Sequence, residues 1–280
     1  MEIFYSKYQL QPGRNGALLK INGGYADCHP WPELGDLPIE EQLNLLKEGV
    51  KTALTKRSLH YAGLDREARK RKISLFQGLK IPKSHLYSEA SSGTIKIKVG
   101  RHPVKDLELL KCFVGKPLTL RLDANERFTE EQFSIFLEMI TPLHKQIEFI
   151  EDPFPYDPKR WKAYTQVPLA CDRQSDIALQ YPDSQKVLIV KPAINDPEKY
   201  KNASNKLVVT SYLDHPFGQV CAAYEAARLT QEVCGLLSHL VYPNDRFSQS
   251  LSIVERRLIP PKGTGFGFDS LLNTLSWEPL

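Results

Sequence analysis

Several short apolar segments in this chain each run into a charged residue, and the charges recur at the length of one repeating unit. Residues 95–99 carry Lys96 and Lys98, residues 118–122 run into Asp123, and residues 147–150 into Glu151. Residues 169–171 run into Asp172 and residues 187–190 into Lys191. From Lys98 the steps are 25, 28, 21 and 19 residues. Each step suits one strand, one helix and their short connections, which calls for a parallel sheet wound with helices. In a parallel barrel the C-terminal strand ends gather on one face, where catalytic groups sit.

The rest of the chain fits an α/β protein with a TIM-like barrel and an α+β companion. Residues 1–35 read as antiparallel sheet, with strands over 3–8 and 17–21 joined by the turn former Gly13. A loop dense in turn formers and aromatics, 23–32, follows. Residues 38–72 are helical by apolar period, with Gly63 as a break. From about residue 85, strands are expected at 86–88, 95–99, 118–122, 147–150, 169–171, 187–190 and 207–210, with a weaker one at 233–237. Thr129 to Gln132 is a capping box, Asp157-Pro158 and Asp196-Pro197 are helix starts, and 216–230 is an alanine-rich helix that His215-Pro216 opens. The gap 89–93 is too short for a helix, so the first barrel helix is expected to be absent. An open doubly wound sheet is the rival fold, but no glycine-rich phosphate turn follows any strand. The boundaries fall at 1–84 for the companion domain and 85–264 for the barrel.

Composition narrows the function. A net charge of +4 over 280 residues, with no long basic run, argues against nucleic acid as a partner. Five cysteines without metal-site spacing fit a reducing cytoplasm rather than a disulfide framework. The first residues lack the pattern of a secretory signal, and no apolar run approaches the ~20 residues of a membrane span.

Three carboxylates on consecutive strands, flanked by lysines, suit a hard cation such as Mg²⁺ that keeps positions open for substrate. Such an ion can hold a substrate carboxylate and stabilise charge that develops on it. A lysine is a poor base at its free pKa of ~10.4, but a nearby cation and desolvation lower it. The pattern therefore suits removal of a proton α to a carboxylate, with the ion stabilising the enediolate. Each residue also has a plainer reading. Asp152 before Pro153 fits a cap, Arg121 inside an apolar strand fits a structural ion pair, and Lys96 fits a snorkelling side chain. Ser211 is either a substrate contact or a turn hydroxyl.

The Lys96-Ile97-Lys98 strand, Leu122-Asp123-Ala124-Asn125, Ile150-Glu151-Asp152-Pro153, Asp172 and Val190-Lys191-Pro192 resemble the enolase superfamily, in its muconate lactonizing enzyme subgroup. Within it the chain is most similar to the o-succinylbenzoate synthase family, through Arg121 to Asn125 and the opening Gly13 to Leu18 and Gly24 to Asp27. The resemblance implies a (β/α)7β barrel with a capping domain to which residues 265–280 return. It implies Mg²⁺, or Mn²⁺, on Asp123, Glu151 and Asp172. It implies Lys98 as the catalytic base, Lys191 as the cation opposite, and Lys96 as tuning Lys98. Arg121, Asn125 and Ser211 would bind substrate, and the 23–31 loop would cover the site.

The implied reaction is syn-dehydration of the cyclohexadiene carboxylate SHCHC to o-succinylbenzoate in menaquinone biosynthesis, by a cytoplasmic lyase. A small-molecule carboxylate is its partner, a monomer its expected state. N-acylamino acid racemases and dipeptide epimerases share these lysines and ligands and stand as the alternative, with a non-catalytic carboxylate-binding barrel as the third. The family commonly places an acid after the third ligand; Arg173 stands there here, which bears on how Asp172 is supported.

Overall fold

The computed structural model describes residues 1–86 and 92–280. Strands β1 (Ile3–Gln11), β2 (Arg14–Ile21) and β3 (Gly24–Cys28) open the chain as an antiparallel meander. Helices α1 (Ile39–Lys47) and α2 (Ala53–Lys70) follow. Next, β4 (Gly93–Lys98), β5 (Leu118–Asp123), β6 (Ile147–Glu151), β7 (Leu169–Cys171), β8 (Val187–Val190) and β9 (Lys206–Val209) line up in chain order in one sheet. Its intervening helices include α3 (Pro103–Lys111), α4 (Glu130–Met139), α5 (Pro158–Lys162) and α6 (Ser175–Ala178). The chain closes with α7 (Pro216–Leu229), α8 (Arg246–Gln249), the hairpin β10 (Ser252–Val254) and β11 (Arg257–Ile259), α9 (Asp269–Leu272) and β12 (Glu278–Pro279).

Two compact units result. The first comprises residues 1–83, 191–198 and 209–280; the second comprises 84–190 and 199–208. This division differs from the expected boundaries: residues 191–198 and 209–264, expected with the barrel, group with the N-terminal segment. In the first unit β12 pairs with β1, Gly265 bridges Ser74, and α7 packs on β3. The β3 backbone lies so close to α2 that a side chain on Gly24 would run into the Ala62 carbonyl. Residues 24–28, expected as loop, therefore form a strand, buried except at Asp27.

In the second unit the strands are parallel, with Lys96 beside Arg121, Lys98 beside Asp123, and Asp123 beside Glu151. Phe149, two residues before Glu151 and so on the same face, joins Ala170, Val187, Ile189 and Val208 in a buried cluster. The six central strands agree with expectation to within two residues. The expected 86–88 strand is reached only at Leu86, which bridges Ile95; its other residues and most of the 89–93 gap lie outside the described residues. At 233–237 the backbone makes a single bridge, Gly235 to Thr210, rather than a strand.

Helix starts follow the sequence. Thr129 and Gln132 form the reciprocal capping box of α4, Asp157 caps α5 through the Lys159 and Arg160 amides, and His215 caps α7 through the Phe217 amide. The break in the 38–72 helical region is not at Gly63, which lies inside α2. Gly49, at φ 83°, ends α1, and Thr52 caps α2. No helix among the described residues is long and apolar enough to cross a membrane.

Candidate active site

Parallel register places the functional groups of the second unit side by side. On β4, Lys96 and Lys98 are two residues apart and share a face. The Lys98 ammonium donates to Asp123 Oδ2 at 2.6 Å, and Lys96 Nζ lies 2.7 Å from the same oxygen. Lys96 also donates to both oxygens of Glu151 at 2.8 Å. The two lysines differ in exposure: the Lys96 side chain is 12% accessible and that of Lys98 62%. Lys96 is thus largely enclosed between the two carboxylates, while most of the Lys98 side chain faces solvent.

The electrostatics follow from this packing. Burial opposes the charge of Asp123, but the two ammonium groups outweigh it and hold the carboxyl well below the usual range. Glu151 goes the other way. Burial and then the charge of Asp123 push it up to about 7; Lys96 opposes this, and Asp172 adds to it. Glu151 thus carries the negative charge of the carboxylates on either side of it.

The backbone beyond these strands is held in unusual conformations. Asn125, Glu126 and Asp152 have φ of 50°, 59° and 42°, in the left-handed region that costs L-residues of order 1–3 kcal/mol each. Asn125 donates its side-chain amide to Asp123 Oδ1, and its backbone N–H reaches the same oxygen at 3.2 Å. Asn125, expected as a substrate contact, orients Asp123 in the structure.

Asp152 is not a helix cap; its carboxylate accepts the backbone N–H groups of Asp172 at 3.0 Å and Arg173 at 3.1 Å. This role was missed because an acid before proline reads as a cap. The left-handed backbone that turns it toward the next strand leaves no sequence signature.

Arg121 lies inside the sheet. It is fully buried, gives Nε and Nη2 to Glu148 at 2.8 and 3.1 Å, packs over the Phe149 ring and lies against His85 Nδ1. Its Nε and Nη2 donors are committed to Glu148, the structural ion pair that an arginine inside an apolar strand suggests. Arg173 pairs with Glu126 at 3.6 Å.

Lys191 and Ser211 belong to the first unit. The Lys191 backbone N–H donates to Asn195 Oδ1 at 2.8 Å, and its ammonium stands 5.7 Å from the Tyr212 ring centroid. Ser211 donates to Ser238 Oγ at 2.7 Å.

Among the described residues, no three His, Cys, Asp or Glu side chains already converge as a finished ligand set. Lys96 bridges Glu151 and Asp123 instead. The donor chemistry nonetheless fits a hard divalent cation: hard carboxylate oxygens lie at adjacent strand ends, with one acid pushed up by burial and by its neighbours' charge.

The family described as O-succinylbenzoate synthase, N-terminal domain, matches residues 3–68. An o-succinylbenzoate synthase of Bdellovibrio bacteriovorus is 34% identical, over 100% of this chain and 99% of that protein. One from Vibrio cholerae is 30% identical over 50% of this chain and 49% of that protein. Among solved structures, a muconate lactonizing enzyme from Mucobacterium smegmatis aligns with a TM-score of 0.76 at 15% identity, covering 99% of both chains. A dipeptide epimerase from Enterococcus faecalis aligns with a TM-score of 0.74 at 16% identity, covering 95% of this chain and 97% of its own. The fold is that of the muconate lactonizing enzyme-like branch of the enolase superfamily, whose members generally act with a divalent metal ion. Within it the chain belongs to the o-succinylbenzoate synthase family of carbon–oxygen lyases.

Proposed function

We propose that this protein converts SHCHC to o-succinylbenzoate and water, a step of menaquinone biosynthesis in the cytoplasm. The observation that carries the reading is the full-length 34% identity to an o-succinylbenzoate synthase. The paired lysines and strand-end carboxylates support it.

Lys98 is the base. Its exposed Nζ takes the α proton of the substrate carboxylate and returns a proton to the hydroxyl on the same face, which departs as water. In the structure Lys98 is ion-paired with Asp123, so it can turn to the substrate only when that carboxylate is engaged elsewhere. Asp123, Glu151 and Asp172 would hold Mg²⁺, or Mn²⁺ in its place, which would supply positive charge against the substrate carboxylate. Lys96 keeps Asp123 and Glu151 together and adds a second positive charge at the same strand ends. Lys191 enters on the family resemblance alone, as the cation that stabilises the developing enediolate. The substrate is a small carboxylate, and no macromolecular partner is required.

The test is an assay of the purified chain with SHCHC, with and without EDTA. Product formation that EDTA stops is expected. No product at any divalent-ion concentration would overturn the reading.

A further inference from the structure

The third carboxylate of the site, Asp172, stands just past β7, where the sheet ladder has ended. Its backbone is nevertheless held. The Asp152 carboxylate spends one oxygen on the Asp172 N–H and the other on the Arg173 N–H. Asp152 is itself 3% exposed and left-handed, and its own position is fixed from both sides. Its N–H donates to the Ala170 carbonyl of β7 at 3.0 Å, and its carbonyl accepts the Glu126 N–H at 2.6 Å. Glu126 lies three residues past Asp123, and its side chain pairs with Arg173. The Ala124 N–H donates to the Glu151 carbonyl at 3.0 Å. A closed circuit thus runs from the Asp123 corner through Glu126 and Asp152 to the Asp172–Arg173 corner. Two of its corners carry the left-handed residues Glu126 and Asp152, which only a surrounding structure holds in place.

We propose that Asp152 is a positioning residue that fixes the spacing of Asp172 relative to Asp123 and Glu151, clamping the Asp172 and Arg173 amides through its two carboxylate oxygens. It touches neither substrate nor ion. The clamp acts through the main chain, so the side chain at position 173 is free to be arginine and to pair with Glu126 instead of supporting the ligand. The two oxygens are used as two acceptors, and the isosteric Asp152→Asn change would point an amide donor at an N–H donor. Supporting partners of this kind are worth 10–100-fold in metal affinity. The inference rests on the reading of Asp123, Glu151 and Asp172 as an ion site.

The experiment is Mn²⁺ binding by the whole protein, read by electron paramagnetic resonance, with wild type and Asp152→Asn compared. Circular dichroism melting in EDTA checks the fold of each. A 10–100-fold weaker Mn²⁺ affinity in a variant that still melts cooperatively supports the inference; an unchanged affinity overturns it. If the variant does not fold, amide hydrogen exchange of the wild type decides. Slow exchange at Asp172 and Arg173, beyond the end of β7, supports the clamp, and exchange at loop rates overturns it. If wild type binds no Mn²⁺, the reading of the ion site fails and takes this inference with it, whereas wild-type binding with an indifferent variant sinks the inference alone.

Discussion

Lys96 and Glu151 form a two-pronged pair, the ammonium 2.8 Å from each carboxylate oxygen, at a site where a second acid, Asp123, leans on the same nitrogen. Removing that ammonium strips Glu151 of both contacts and leaves Asp123 with Lys98 alone. Breaking a buried pair on one side costs about 3–5 kcal/mol. The Lys96→Met variant should therefore melt well below wild type in EDTA. It should also gain more in melting temperature from added Mn²⁺ than wild type does, because the ion then replaces the charge that Lys96 supplied. An equal gain in both proteins would show that Lys96 and the ion do not compete for these carboxylates.

Lys98 differs because its side chain is largely in solvent and contributes little to packing. Lys98→Ala should fold with a melting temperature close to wild type and lose about 10²–10⁴-fold in kcat with SHCHC, the scale of a removed general base. Retained turnover would remove Lys98 from the mechanism.

Arg121 offers the opposite contrast. With its guanidinium fully buried on Glu148, Arg121→Met should destabilise the protein by about 3–5 kcal/mol in urea titrations. The fraction that stays folded should keep a near-normal KM. A large rise in KM without loss of stability would restore Arg121 as a substrate contact.

In the first unit, half-buried Asp27 lies close to buried Asp214. A Cβ at Gly218 would stand 2.5 Å from Asp214 Oδ2 and 2.6 Å from Asp27 Oδ2, so both oxygens crowd one point. Burial pushes Asp214 up to about 7, and burial with the charge of Asp214 pushes Asp27 well above its ordinary range. Between the ordinary carboxylate value of ~3.9 and about 7, the folded chain keeps a proton that the unfolded chain has released. This contribution to stability is full below that window and lost as pH rises through 7, on the order of 1.4 kcal/mol per pH unit. Asp214→Asn carries no such proton. Melting curves from pH 5 to 8 should fall more steeply for wild type than for Asp214→Asn, and parallel slopes would refute the shared proton.

Much of the sheet was legible in the sequence because its buried strands are apolar runs punctuated by charges at fixed steps. The helix starts at Thr129, Asp157 and His215 were equally plain, since capping is local chemistry. What local patterns could not carry was long-range packing. Residues 24–28 look like loop by composition and become a strand because α2 lies against them. Asp152 carries a charge that sequence reading sends toward a helix end, and Arg121 one that sequence reading leaves between an ion pair and a ligand contact. Their roles depend on Glu148 and on the amides of residues 172 and 173, more than 19 residues away in sequence. The grouping of residues 209–264 with the N-terminal segment is likewise invisible to any window along the chain.

The pairing of β12 with β1 joins residues as far apart as Phe4 and Pro279. On the ribosome this sets an order of events. The stretch 84–190, whose strands pair with their immediate successors, can add one parallel neighbour at a time as it emerges. The first unit must wait, because residues 209–280 are synthesised after everything else it packs with. The nascent β1 edge is therefore exposed for most of translation, and the chain's most aggregation-prone interval precedes the arrival of its last strand. Closing that sheet carries the longest loop-closure cost in the molecule, which makes it the natural slow step of folding.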